Sequence, residues 1–151
     1  MRRIAVFVFL AGVSLGCGLA VSSADAVMCG VAHDLSLAIT VATEAEAKDS
    51  TGDRVGAQQL ASQARALAEQ GHDKLRTITS DGVRASTTWQ SLLLAYLHAG
   101  QAANALLPGF EGTYGMTGEE LATAHRALQA AGQALPAECA TISETPAAPG
   151  A

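Results

Sequence analysis

Aromatic side chains are scarce in this chain, making up 4% of its 151 residues, with a single tryptophan. Charge is scarce as well, at 15%, and lysine plus arginine number 9 against 14 acids. So little charge beside 49% apolar residues excludes a disordered polyelectrolyte, which stays unfolded through high net charge and few apolar groups. The net charge of −5 excludes the basic footprint needed to neutralise a nucleic-acid backbone. The length excludes a multi-domain enzyme, because one domain takes ~100–200 residues. No glycine motif follows a confident strand to cradle a phosphate, and no internal repeat is evident. What the chain has in excess is alanine, with 32 copies. Alanine loses no side-chain entropy in a helix and gains little on a pleated sheet, so the composition predicts an all-α fold.

The first residues read as a leader. Met1-Arg2-Arg3 is positive, residues 4–15 are apolar but too short to span a bilayer, and Ala24-Asp25-Ala26 offers small residues at a cleavage position. A signal peptide over 1–26 is expected, with a mature chain starting at Val27 and a periplasmic or secreted location. Two rival export routes have less support. Ser14-Leu15-Gly16-Cys17 approximates a lipoprotein motif but has serine where leucine belongs, and Arg2-Arg3 lacks the flanking pattern of twin-arginine export. Without residues 1–26, the remaining 125 residues hold 7 basic and 13 acidic side chains, net −6, and two of the three cysteines. In an oxidising compartment that pair, Cys29 and Cys139, is most simply one disulfide.

Four helices follow from the periodicity. The first is expected over 28–48, with Val31, Leu35, Ala38, Ile39 and Ala42 on one stripe. The alternation Leu35, Leu37, Ile39, Val41 also fits a strand, but the length and the run from Glu44 to Lys48 favour helix. Ser50-Thr-Gly-Asp53 resembles a capping box opening a second helix that reaches Thr79 on Leu60, Ala64, Leu67, Gly71, Leu75 and Ile78. Ser80-Asp81-Gly82 reads as a turn. Residues 85–110 carry no charge, and Trp89, Leu93, Tyr96, Gly100, Ala103 and Leu107 trace a face widened by Leu92, Leu94, Leu97 and Leu106. Polar interruptions argue against a membrane span, so this third helix is expected to be the central, most buried one. Pro108-Gly109 ends it. Thr117-Gly-Glu-Glu120 is a capping box for a fourth helix on Leu121, Ala124, Leu128, Ala131 and Leu135, closed by Pro136. The expectation is an up-down-up-down antiparallel four-helix bundle over 27–140, followed by a disordered tail over 141–151.

Such a bundle gathers Cys29, His33, His72 and Cys139 at one end, a set that would suit zinc or another transition metal if the cysteines were not oxidised. His98 and His125 fall at similar height near the other end, where an axial haem pair or a metal site with Met116 is conceivable. Covalent haem of the cytochrome c-prime kind is excluded because Cys-x-x-Cys-His is absent, and ferritin-like di-iron chemistry because Glu69-x-x-His72 stands alone. A nucleophilic Cys29 lacks an orienting motif, and the acids Glu44, Glu46, Asp49 and Asp53 read as solvated turn and cap residues. The best functional candidate is the glycine-rich loop 108–118, whose Phe110, Tyr114 and Met116 either contact a ligand or fold back to plug the bundle. The sequence thus points to an exported, non-enzymatic helical protein that binds a protein partner or small apolar ligand at this loop. A histidine-based metal or haem protein for storage or electron transfer is the alternative.

Overall fold

The computed structural model describes residues 22–109, 117–137 and 139. Most of the expected signal segment and the whole expected tail lie outside these residues. Five helices follow one another, with no strand among the described residues: α1 (Ser23–Ser50), α2 (Arg54–Arg76), the single turn α3 (Asp81–Arg84), α4 (Thr87–Ala105) and α5 (Thr117–Ala134). The protein is all-α, and the alternation around Leu37 belongs to the interior of a 28-residue helix.

The ends of the helices are set by local chemistry. Ser22 accepts a hydrogen bond from the Asp25 N–H at 3.1 Å, so α1 begins five residues before the expected start at Met28. Gly52, at φ +88°, turns the chain after α1, a left-handed conformation that glycine adopts without a Cβ penalty. That turn displaces the expected cap. Ser50 bonds back to the Ala47 carbonyl, while Asp53 caps α2 by accepting from the Gly56 N–H at 3.0 Å. The expected turn at Ser80-Asp81-Gly82 is wound into α3, after which Ser86 caps α4 through the Trp89 N–H.

The interior is layered. At one end Val31 and Leu35 of α1 meet Ala68 and Leu75 of α2, Leu92 and Ala95 of α4, and Ala127 and Ala131 of α5. In the middle Ile39 and Ala42 meet Ala64, Ala99, Ala102, Leu121 and Ala124. At the far end Ala45, Ala61 and Leu106 close the interior. Fifteen of the twenty-five buried apolar residues described are alanine, so the backbones themselves come together. Small contact residues set interhelical distances toward the lower end of the usual ~8–10 Å.

This alanine core alters the expected burial of the third helix. Its buried residues are Leu92, Ala95, Ala99, Ala102, Ala103 and Ala105, followed by Leu106, while Trp89, Leu93, Tyr96 and Leu107 flank them and Leu94 and Leu97 are exposed. Apart from Leu92 and Leu106, the large side chains of this segment lie beside the contact and alanines make it. Two helices share the deepest position, since α4 packs against α1, α2 and α5 just as α1 packs against α2, α4 and α5. By length and composition α1 is also apolar enough to cross a membrane, but its buried face belongs to the core.

One charge enters the α1–α2 contact. Asp34 is buried, and Lys74 Nζ lies 2.6 Å from its Oδ2 as an ion pair. Gly71 faces both residues, since a Cβ there would stand 3.4 Å from Leu35 Cγ and 3.5 Å from Asp34 Cβ, in ordinary van der Waals contact. Removing the half-exposed Lys74 would leave the buried Asp34 carboxylate without its counter-ion, which makes the pair a constraint on how α2 sits along α1.

Two outcomes test this architecture. Leu35→Ala, at a fully buried leucine in a core of small residues, is expected to lower unfolding free energy by ~3–5 kcal/mol, against a near-neutral effect of Val55→Ala at an exposed site, both read by denaturant titration. Asp53 has its carboxyl held below its ordinary value of 3.8 by hydrogen bonds from Lys48 and the Gly56 N–H and by the Lys48 charge. A lowered folded-state pKa adds stability that is present above the unfolded value and lost as pH falls through the folded value. Comparison of melting curves above and below pH ~4 is therefore expected to show a smaller acid loss in Asp53→Asn than in the parent.

Candidate functional site

The two cysteines are joined. Cys29, buried near the start of α1, forms a disulfide with Cys139, the Cα atoms lying 5.3 Å apart across 110 residues of sequence. Cys139 is brought back by a turn in which its N–H donates to the Pro136 carbonyl at 2.9 Å. Beside the disulfide lies a groove of about 220 Å³ between α1 and the end of α5, walled by Ala32, Ser36, Leu128, Leu135 and Pro136. It is smaller than the ~300–1,000 Å³ of most small-molecule sites and offers one side-chain hydroxyl, that of Ser36.

The disulfide removes two donors from the first metal set considered. A metal needs thiolates, and the sulfurs of Cys29 and Cys139 are bonded to each other. His33 is half-buried on α1, whereas the ring of His72 stacks on Tyr96 of α4, with centroids 4.2 Å apart and planes 2° from parallel. No group of three or more His, Cys, Asp or Glu side chains is placed to hold a metal ion among the described residues.

His98 and His125 have different surroundings. His98 Nδ1 is in close contact with Glu120 Oε2, bridging α4 and α5 with both side chains largely buried, whereas His125 is exposed. Sequence reasoning missed this His98–Glu120 pair. Glu120 had a sufficient role as the last residue of the Thr117-Gly-Glu-Glu120 capping box, and only the register of α5 against α4 aims its carboxylate at the imidazole.

Phe110, Tyr114 and Met116 lie outside the described residues. The two roots of their loop pack onto the helices. On one side Leu106 is buried and Gly109 leaves at φ +91°. On the other, Thr117 is buried in the first turn of α5, and Glu46 Oε1 lies 3.3 Å from where a Cβ on Gly118 would stand. A carboxylate is favourable there, because the N-terminus of a helix carries partial positive charge. With the His98–Glu120 contact one turn further on, both ends of the loop are fixed to the helices.

Replacing both Cys29 and Cys139 by alanine is expected to lower stability by ~2–5 kcal/mol while leaving the helical content nearly unchanged, as read by thermal melts followed by circular dichroism without reductant. No protein-family model matches the chain, and no curated protein or solved structure matches it either.

Proposed function

We propose that this protein is an exported, non-enzymatic helical module that binds a protein partner or a small apolar ligand through the loop at 108–118. The observation that carries the reading is the fixed mounting of that loop, with Leu106 and Thr117 buried at its roots and His98 on Glu120 tying α4 to α5. Binding residues commonly sit on loops positioned by a rigid scaffold, and Phe110, Tyr114 and Met116 supply apolar and polarizable surface for such a contact. An up-down-up-down antiparallel bundle is the arrangement that fits the layers. The start of α1, the end of α2, the start of α4 and the end of α5 share one layer, while Leu106 at the root of the loop lies in the layer at the other end from the disulfide.

Export is supported by the disulfide, which persists in oxidising compartments, and by the order of positive, apolar and small-residue segments in 1–26. In this reading the histidines have structural roles, stacking on Tyr96 and pairing with Glu120, or remain at the surface.

Protein isolated after export is expected to begin at Val27 by intact mass, two hydrogens lighter than the reduced chain and without bound haem or stoichiometric metal. It is then expected to enhance the fluorescence of the apolar probe 1-anilinonaphthalene-8-sulfonate. The double variant Phe110→Ala with Tyr114→Ala should lose that enhancement with its melting temperature nearly unchanged. A large fall in melting temperature would make the two aromatics a plug for the bundle instead, and a stoichiometric metal or haem would replace the proposed reading.

A further inference from the structure

The outer face of α4 has a pattern that the loop reading does not use. The exposed positions of this helix are Thr87, Gln90, Leu94, Leu97 and Gln101, with Leu94 and Leu97 at 44% and 48% exposure. The intervals between them are three, four, three and four residues, the spacing of a coiled-coil seam along one helix. Charge is missing from the seam itself, since the whole of 85–110 contains no Asp, Glu, Lys or Arg. The other long helices expose charged groups, among them Glu44 on α1, Arg65 and Glu69 on α2, and Arg126 on α5.

The central part of the seam is also a palindrome. Gln90 precedes Leu94 by four residues, Leu94 precedes Leu97 by three, and Leu97 precedes Gln101 by four. Turning the helix end for end maps this pattern onto itself. Laid antiparallel on its own copy, Leu94 therefore meets Leu97 and Gln90 meets Gln101, so apolar groups face each other at the centre and amides pair at the rim. A two-fold interface requires this self-complementarity, in which residue i contacts j while j contacts i.

Net charge selects the same face. Two copies of an acidic chain repel each other, and the repulsion is least where each presents an uncharged surface. A basic partner would find no acid along this seam to pair with, whereas a second copy finds matching leucines and amides. We infer that the protein forms an antiparallel homodimer through the outer face of α4, with Leu94 and Leu97 at the two-fold axis. A single helix from each copy places the contact at the small, reversible end of specific interfaces. The inference goes beyond the loop reading and does not depend on it, because Phe110 and Tyr114 lie outside the seam.

Sedimentation velocity of the disulfide-bonded protein from roughly 1 µM to 1 mM, the range in which a small interface must show itself, provides the test. The expected result is a concentration-dependent shift from monomer to dimer. Leu94→Glu should weaken it by at least ~10-fold through like charges meeting at the axis, whereas Leu37→Glu, at the exposed leucine of α1, should leave it unchanged. Cysteine pairing fixes the orientation independently and without a core change. A mixture of the single variants Gln90→Cys and Gln101→Cys should form a cross-linked heterodimer on mild oxidation. Either variant alone should not, because in the antiparallel pair identical positions lie about 16 Å apart along the axis, beyond disulfide reach. A monomer at every concentration, a dimer indifferent to Leu94→Glu, or cross-linking of Gln90→Cys with itself would each overturn the inference.

Discussion

The close approach of alanine-lined helices is the constraint on which the rest of this structure depends. A buried alanine removes little apolar area from water, so at ~25 cal/mol per Å² each contact contributes less than a leucine contact would. Close packing compensates in part, because dispersion depends on near-optimal separation over many atom pairs. Such surfaces are smooth, however, and alanines facing alanines give weak preference for one register over the next. The features that break this degeneracy are few. Leu35, Ile39, Leu75, Leu92 and Val31 are the largest fully enclosed groups among the described residues, and the charge pair Asp34–Lys74 joins α1 to α2.

The same constraint explains what was legible in the sequence. The stripe on α1 was readable residue by residue, because its large apolar members Val31, Leu35 and Ile39 are themselves buried. On α5, Leu121, Ala124 and Ala131 are buried as the period requires, with Leu128 and Leu135 at the margin. On α4 the large residues were misleading. A count of bulky apolar groups aims at Trp89, Leu93 and Tyr96, but the contact itself is made by Ala95, Ala99 and Ala102. Hydrophobic size locates the core only where the core is built from large residues. The Cys29–Cys139 pairing was legible because, with Cys17 assigned to the expected leader, the two remaining cysteines allow one intramolecular pairing. The His98–Glu120 contact was not, since it depends on how two helices align across an intervening loop.

The histidines show how one residue type takes its role from its neighbours. His72 meets the flat face of Tyr96, which uses the ring as an apolar plate on the α2–α4 boundary. His98 meets a carboxylate, which uses the ring nitrogen to join α4 to α5. His125 has solvent around it. The two engaged rings lie on opposite flanks of α4, and both leave its outer face to uncharged side chains. A helix with a charge-free exterior thus joins its neighbours through rings at its sides, and the polar chemistry of this region is used in holding helices together.

Tying position 29 to position 139 makes the enclosed chain a covalent ring of backbone and disulfide. Nearly the whole helical framework lies inside that ring, including the α1–α2 turn at Gly52 and both roots of the glycine-rich loop. A protease that cuts once anywhere within it opens the ring without releasing a fragment. The nicked molecule keeps its mass apart from one added water, and its two segments stay attached for as long as the disulfide is oxidised. Separation needs a second cut or a reductant, so the exposed turns of this small protein tolerate a single scission without dispersing its helices.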